Sequence, residues 1–225
     1  MKKKPEIQYL DIVLLGDFNP VIFSPAWFSA HGLIGEIEAE SAEVQLIHPD
    51  IALFSLPWCR VQVTRERCSL LTEQEAYFQI LHDLVVGTFQ LLSHTPLRAL
   101  GLNRGMHIKF DSDEQWHEFG HFLAPQNPWV DVFEDSGMLK LEMVPKFPPA
   151  DMSEGTLRIK VEPSNRIQPG ILVNVNKHFE IQKKIDKGGK AVIEILRDKW
   201  IETNLQADQA VATILENFEK RNKHE

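Results

Sequence analysis

The sequence predicts an α+β protein built of two ferredoxin-like halves of βαββαβ type from an internal duplication. The sheet is expected to be mostly antiparallel, with helices on one face. Three observations carry this expectation. Each half runs strand, helix, several alternating strands, helix. Arg60-Val61-Gln62-Val63 is echoed by Arg158-Ile159-Lys160-Val161. Asn103 and His107, followed by an alternating run, are echoed by Asn174 and His178. The halves are placed at 1–97 and 98–225, sharing a central strand near 98–110 within one compact unit.

The first half opens on Ile7 to Leu15, an apolar strand closed by the turn-forming run Gly16-Asp17-Phe18-Asn19-Pro20. Ser24 followed by Pro25 is an N-cap with proline at the first helical position, which predicts a short helix through His31. Glu43 to His48, Ile51 to Leu56, Arg60 to Thr64 and Cys68 to Leu71 read as strands, punctuated by Pro49-Asp50 and Pro57. Thr72-Glu73-Gln74-Glu75 has capping-box spacing. The stripe Tyr77, Ile80, Leu81, Leu84, Val85, Phe89, Leu92 then predicts an amphipathic helix ending before Pro96.

The second half begins with Leu97 to Phe110, a long strand containing Gly101 and Gly105. Ser112 caps a helix from Asp113 to Ala124, stopped by Pro125. Met138 to Val144, Thr156 to Glu162 and Ile171 to Ile181 are expected strands. Two helices follow, one after Gly188-Gly189 with Val192, Ile195, Leu196 and Trp200 inward, and one over roughly Gln206 to Lys220.

Composition narrows the functional classes. The chain has 225 residues, 43% of them hydrophobic and 25% charged, which suits a folded globular protein. Its formal net charge of −8 and pI near 5.6 argue against general nucleic-acid binding. No run of about 18 apolar residues is present, so no membrane association and a cytoplasmic location are expected. Cys59 and Cys68 lie in no metal-ligand pair and are read as strand packing.

One word in the sequence spells a reaction. His117-Glu118-Phe119-Gly120-His121 has the HExxH spacing, in which two histidines at i and i+4 share a helix face and the glutamate activates a zinc-bound water. The surroundings argue against that chemistry. Trp116, Phe119, Gly120 and Leu123 form the buried stripe, leaving both histidines beside it toward water. The downstream Phe122-Leu123-Ala124-Pro125-Gln126-Asn127 supplies neither the glycine nor the third histidine of a metzincin. No metal or cofactor is therefore expected, with zinc on His117 and His121 and Glu118 as base kept as the alternative. Arg104 and His107, at a glycine-containing bend, are candidate ligand contacts. Trp58 and Trp129, each placed directly after a proline, are candidate partner anchors.

Three phrases run along the chain: Gly16-Asp17-Phe18-Asn19-Pro20 with Ser24-Pro25-Ala26-Trp27, His121-Phe122-Leu123-Ala124-Pro125 with Trp129, and Val161-Glu162-Pro163-Ser164 with Val175-Asn176-Lys177-His178-Phe179. Together they resemble a sporadically distributed, uncharacterised family of small bacterial proteins. The resemblance spans nearly the whole chain and implies no established activity. Residues and resemblance together lead to the expectation of a non-catalytic interaction or assembly protein, working with a protein partner or as a homo-oligomer. An accessory role in a bacterial complex would fit, and a zinc-dependent hydrolase is the alternative.

Overall fold

The computed structural model describes residues 3–147, 149, 154–181 and 188–221. Nine antiparallel strands make one sheet: β1 (Ile7–Gly16), β2 (Glu43–His48), β3 (Ile51–Ser55), β4 (Arg60–Thr64), β5 (Arg67–Thr72), β6 (Leu97–Lys109), β7 (Leu141–Met143), β8 (Thr156–Pro163) and β9 (Gly170–Glu180). The helices are α1 (Pro25–Ala30), α2 (Glu36–Glu40), α3 (Phe78–Leu91), α4 (Asp113–Leu123) and α5 (Gly188–Arg221). The α+β class and the antiparallel sheet follow the sequence expectation.

The strand order is β2-β3-β4-β5-β1-β6-β9-β8-β7. The chain does not follow the βαββαβ order. Between α2 and α3 four strands run as one meander, and the last of them, β5, returns to pair with β1. Short turns such as Pro49-Asp50 allow only antiparallel neighbours, so no helix can cross between these strands. Four strands flank the β1–β6 pair on the β1 side and three on the β6 side, and the echoed segments on β4 and β8 each stand third from the midline of that pair. The other echo falls on β6 and β9, which are paired with each other, Asn103 opposite Asn176.

Alternation sorts the strands into two faces. Leu10, Ile12 and Leu14 of β1 stand beside Leu100 and Leu102 of β6, and farther along Met106 and Ile108 stand beside Val173 and Ile171 of β9. This face receives the buried side chains of α1, α3, α4 and α5. The opposite face carries Tyr9, Asp11, Asn103, Asn174 and Asn176, and among the described residues no helix packs on it.

The last helix differs from expectation. In place of two helices, one of 34 residues covers Gly188–Arg221, about 51 Å at the usual rise per residue. No proline interrupts it, and Val192, Leu196, Trp200, Thr203, Ala207, Val211, Leu215 and Phe218 form one uninterrupted buried stripe. Its first half completes the larger core cluster with α3. Its second half completes a smaller cluster with Phe110 and Phe119. The helix starts tight against the α3–β6 connection: a Cβ on Gly188 would come within 2.5 Å of the Leu97 nitrogen, so only glycine fits there.

Other local expectations shift by small amounts. Thr72 is the last residue of β5, and its hydroxyl accepts from the Gln74 amide, so it forms a turn instead of capping α3. The strand expected over Met138 to Val144 shortens to β7, an edge strand of three residues.

Candidate functional site

Of the seven candidate side chains, Arg104, His107, Trp58, Trp129, His117, Glu118 and His121, the fold assigns the first three to its own interior. Arg104 lies on the helix-covered face and is 5% exposed. Its guanidinium donates to Asn204 Oδ1 and Gln8 Oε1, both at 2.8 Å, and to Asp208 Oδ1 at 3.2 Å. It also stands 4.8 Å from the centre of the Phe78 ring. Burial lowers its proton affinity, while Asp208 and Glu75 oppose that effect. Its Nε has no hydrogen-bond partner. Arg104 therefore ties β6 to β1 and α5 and is not an exposed anion site.

His107 faces the other side of β6 and is buried beneath the β8–β9 connection. Its Nδ1 and Ser164 Oγ share a hydrogen bond of 2.8 Å, and the same hydroxyl accepts from the Arg166 and Ile167 amides. The imidazole is held below its ordinary value, first by burial and then by the Arg166 charge. It pins a loop. Ser164 could have been found as a turn-forming serine directly after Pro163.

Trp58 is 5% exposed. Its indole donates to Glu38 Oε1 at 2.7 Å and stacks on Tyr77 at 5.3 Å between ring centres. Glu38 also accepts the Gly35 amide at the start of α2, a helix the sequence pattern did not reveal. The polar tip of a buried tryptophan needs an acceptor, and the partly covered Glu38 supplies it, so Trp58 is not a surface anchor.

Trp129 is 49% exposed and begins an apolar stretch at the β7 end of the sheet. Val130, Val132, Phe133, Leu139, Met143, Val144 and Phe147 are also exposed. About half of the exposed large apolar side chains of the described chain lie in this one segment.

The HExxH word sits on α4, whose Phe119 packs against Phe110 and Phe218. Glu118 is exposed, as is His117, whose ring lies 4.9 Å from that of Trp116, and His121 is partly covered. Both imidazoles line a cleft of about 100 Å³ whose remaining lining is Trp116, Gly120, Gly137, Met138, Pro163 and Ile171. That lining adds no carboxylate, thiol or third imidazole. Among the described residues no group of three or more His, Cys, Asp or Glu is placed to hold a metal ion. Cys59 and Cys68 are buried, and desolvation raises both thiols far above their ordinary value, which keeps them protonated.

A larger cleft, about 310 Å³, opens on the helix side between the start of β1 and the second half of α5. Gln8 and Asp208, two of the groups held by Arg104, are on its wall. No pattern in the sequence marked it, because its walls come from four separate parts of the chain.

No family model and no curated protein matches the chain. The geometry alone carries the functional reading. No described helix is long and apolar enough to cross a membrane.

Proposed function

We propose that this protein is a non-catalytic interaction or assembly protein, and that it makes contact through the apolar segment from Trp129 to Phe147 beside β7. The observation that carries the reading is the concentration of exposed apolar side chains there, with Leu139 at 85% and Phe147 at 77% exposure. Scattered exposed apolar residues are ordinary, whereas a contiguous cluster marks a surface that another macromolecule covers. β7 lies at the sheet edge, so a strand added there would extend the ladder while the aromatic side chains seat against the partner. The matching positions of β4 and β8, each third from the β1–β6 midline, support reading the two halves as copies of one unit, the first carrying one extra edge strand. The resemblance to a bacterial family adds an accessory role in a larger assembly.

Native mass spectrometry of untagged protein, purified without chelator, tests this reading. The expected result is an integer multiple of 25.8 kDa, or a stoichiometric complex with a host protein, reverting to the single chain in Trp129→Ser/Phe133→Ser. A photocrosslinker at position 133 should capture the same neighbour. A single chain with no crosslinked neighbour overturns it.

One observation favours the zinc-hydrolase alternative: His117 and His121 line a common cleft. The same spectrum reads it. One zinc per chain, lost in His117→Ala, would favour that alternative.

A further inference from the structure

We propose that the partner at the β7 edge is a second copy of this chain, joined by antiparallel β7–β7 pairing across a two-fold axis at Leu141. This inference rests on the contact surface proposed above and names its occupant and register.

β7 is one of the two edge strands of the sheet, and among the described residues no strand lies on its outer side. The other edge, β2, carries a register shift between Val44 and Leu46, and such bulges turn an edge away from further pairing. β7 pairs with β8 without one: Leu141 stands opposite Val161, Glu142 opposite Lys160 and Met143 opposite Ile159. Glu142 is therefore on the uncovered face with Lys160, and Leu141 and Met143 are on the helix-covered face.

Symmetry restricts the register. Two antiparallel strands of one sheet are related by an axis normal to that sheet, which keeps every residue on its own face. The axis must then pass beside a single residue, whose neighbours pair one before with one after. An axis at Lys140 sets two ammonium groups opposite each other, and one at Glu142 sets two carboxylates opposite each other. An axis at Met143 brings Pro145, which has no N–H to give, opposite Leu141. An axis at Leu141 sets Lys140 opposite the partner's Glu142 and the two Leu141 side chains together. Leu139, just before the strand, then comes opposite the partner's Met143.

The charges in this register are balanced and already drawn together. Lys140 Nζ lies 3.1 Å from Glu142 Oε2 of its own chain, and both side chains are half exposed. Across the axis each carboxylate also meets the partner's ammonium. Charges of alternating sign then run from Lys160 through Glu142 to the partner's Lys140 on one face. On the other face Leu139 and Met143, 85% and 57% exposed in the single chain, cover each other. A ladder of three residues is weak by itself, so the exposed Trp129, Phe133 and Phe147 supply the rest of the contact.

Native mass spectrometry of the full chain with charge reversals at these exposed positions tests the register. The unaltered chain is expected at twice 25.8 kDa. Lys140→Glu and Glu142→Lys each place like charges opposite one another, and each should weaken dimerisation at least about tenfold. An equimolar mixture of the two variants should restore a dimer containing one of each, because every carboxylate again faces an ammonium. Leu141→Cys should form a disulfide-linked dimer on mild oxidation, and Lys146→Cys, far from the axis, should not. Failure of the mixture to pair, or of Leu141→Cys to crosslink, overturns the inference. A host protein seated at Trp129, or self-association indifferent to both charge reversals, also overturns it and leaves the proposed contact surface standing. A single chain with no neighbour crosslinked at position 133 overturns both.

Discussion

Arg104 and His107 lie three residues apart on β6 and face opposite sides of the sheet. Arg104 is a buried cation whose hydrogen bonds all end on neighbouring elements. Arg104→Ala should cost about 2–4 kcal/mol in urea unfolding, because charge-assisted bonds and the guanidinium's packing are lost together. Arg104→Met, which keeps the volume, should cost less, and equal costs would show that packing contributes little. His107 behaves differently. Its value in the folded protein is lowered, mainly by burial, so as pH falls the unfolded chain takes up the proton first. The stability tied to neutral His107 is therefore present above about pH 6.5 and is lost as pH falls below that toward the lowered folded value. His178 shifts in the same direction, from burial and then Arg158. Unfolding free energies measured between about pH 5 and 8 should decline toward acid, and His107→Gln should flatten part of that decline. An unchanged slope in the variant would remove His107 as its source.

At the scale of elements, the packing of β1 on β6 and its side-chain tie across to β9 depend on one close approach. Tyr9 lies across Gly105, and its hydroxyl accepts from Asn174 Nδ2 at 2.9 Å on β9. A Cβ at position 105 would sit 1.9 Å from the Tyr9 ring. Gly105→Ala should therefore destabilise the protein by about 1–3 kcal/mol, as overpacking does. In the Tyr9→Ala background the same change should cost much less, and a double-mutant cycle with no coupling would refute the contact. The polar row on this uncovered face continues from Asn176 through Asn103 to the Asp11 backbone, and Ser69 donates to the Asp11 carboxylate at 2.6 Å. These bonds satisfy side chains that a helix would otherwise need to cover.

For the whole molecule, α5 decides the architecture. Its buried stripe crosses from the larger core cluster to the smaller, and the seam with α3 is fixed by polar bonds. Trp200 Nε1 donates to Gln79 Oε1 at 2.8 Å, and His82 Nε2 approaches the Leu196 carbonyl oxygen at 3.2 Å. With every described helix core gathered on one side of the sheet, the segment from Trp129 to Phe147 touches the smaller cluster through Met138, while its exposed apolar side chains remain outside both clusters. The predicted assembly follows from that exclusion: its exposed apolar side chains gain burial only against another surface. Loss of association in Trp129→Ser/Phe133→Ser, with the fold retained, is the outcome expected at this scale.

The sequence by itself determined the α+β class, most strand boundaries, the Ser24 and Ser112 caps and the apolar stripes. Those features depend on residues a few positions apart, where alternation, helical period and capping chemistry act directly. It did not determine the meander order or the continuity of α5, because exposed Ile201 and Leu205 interrupt the apolar pattern without breaking the helix. Nor could it assign Trp58, Arg104 and His107. Their partners Glu38, Asp208 and Ser164 lie 20 or more residues away, and only the packed sheet and helices bring donor and acceptor together. Burial and hydrogen-bond partnership are properties of the folded arrangement, so tertiary structure alone separated internal ties from the exposed apolar segment.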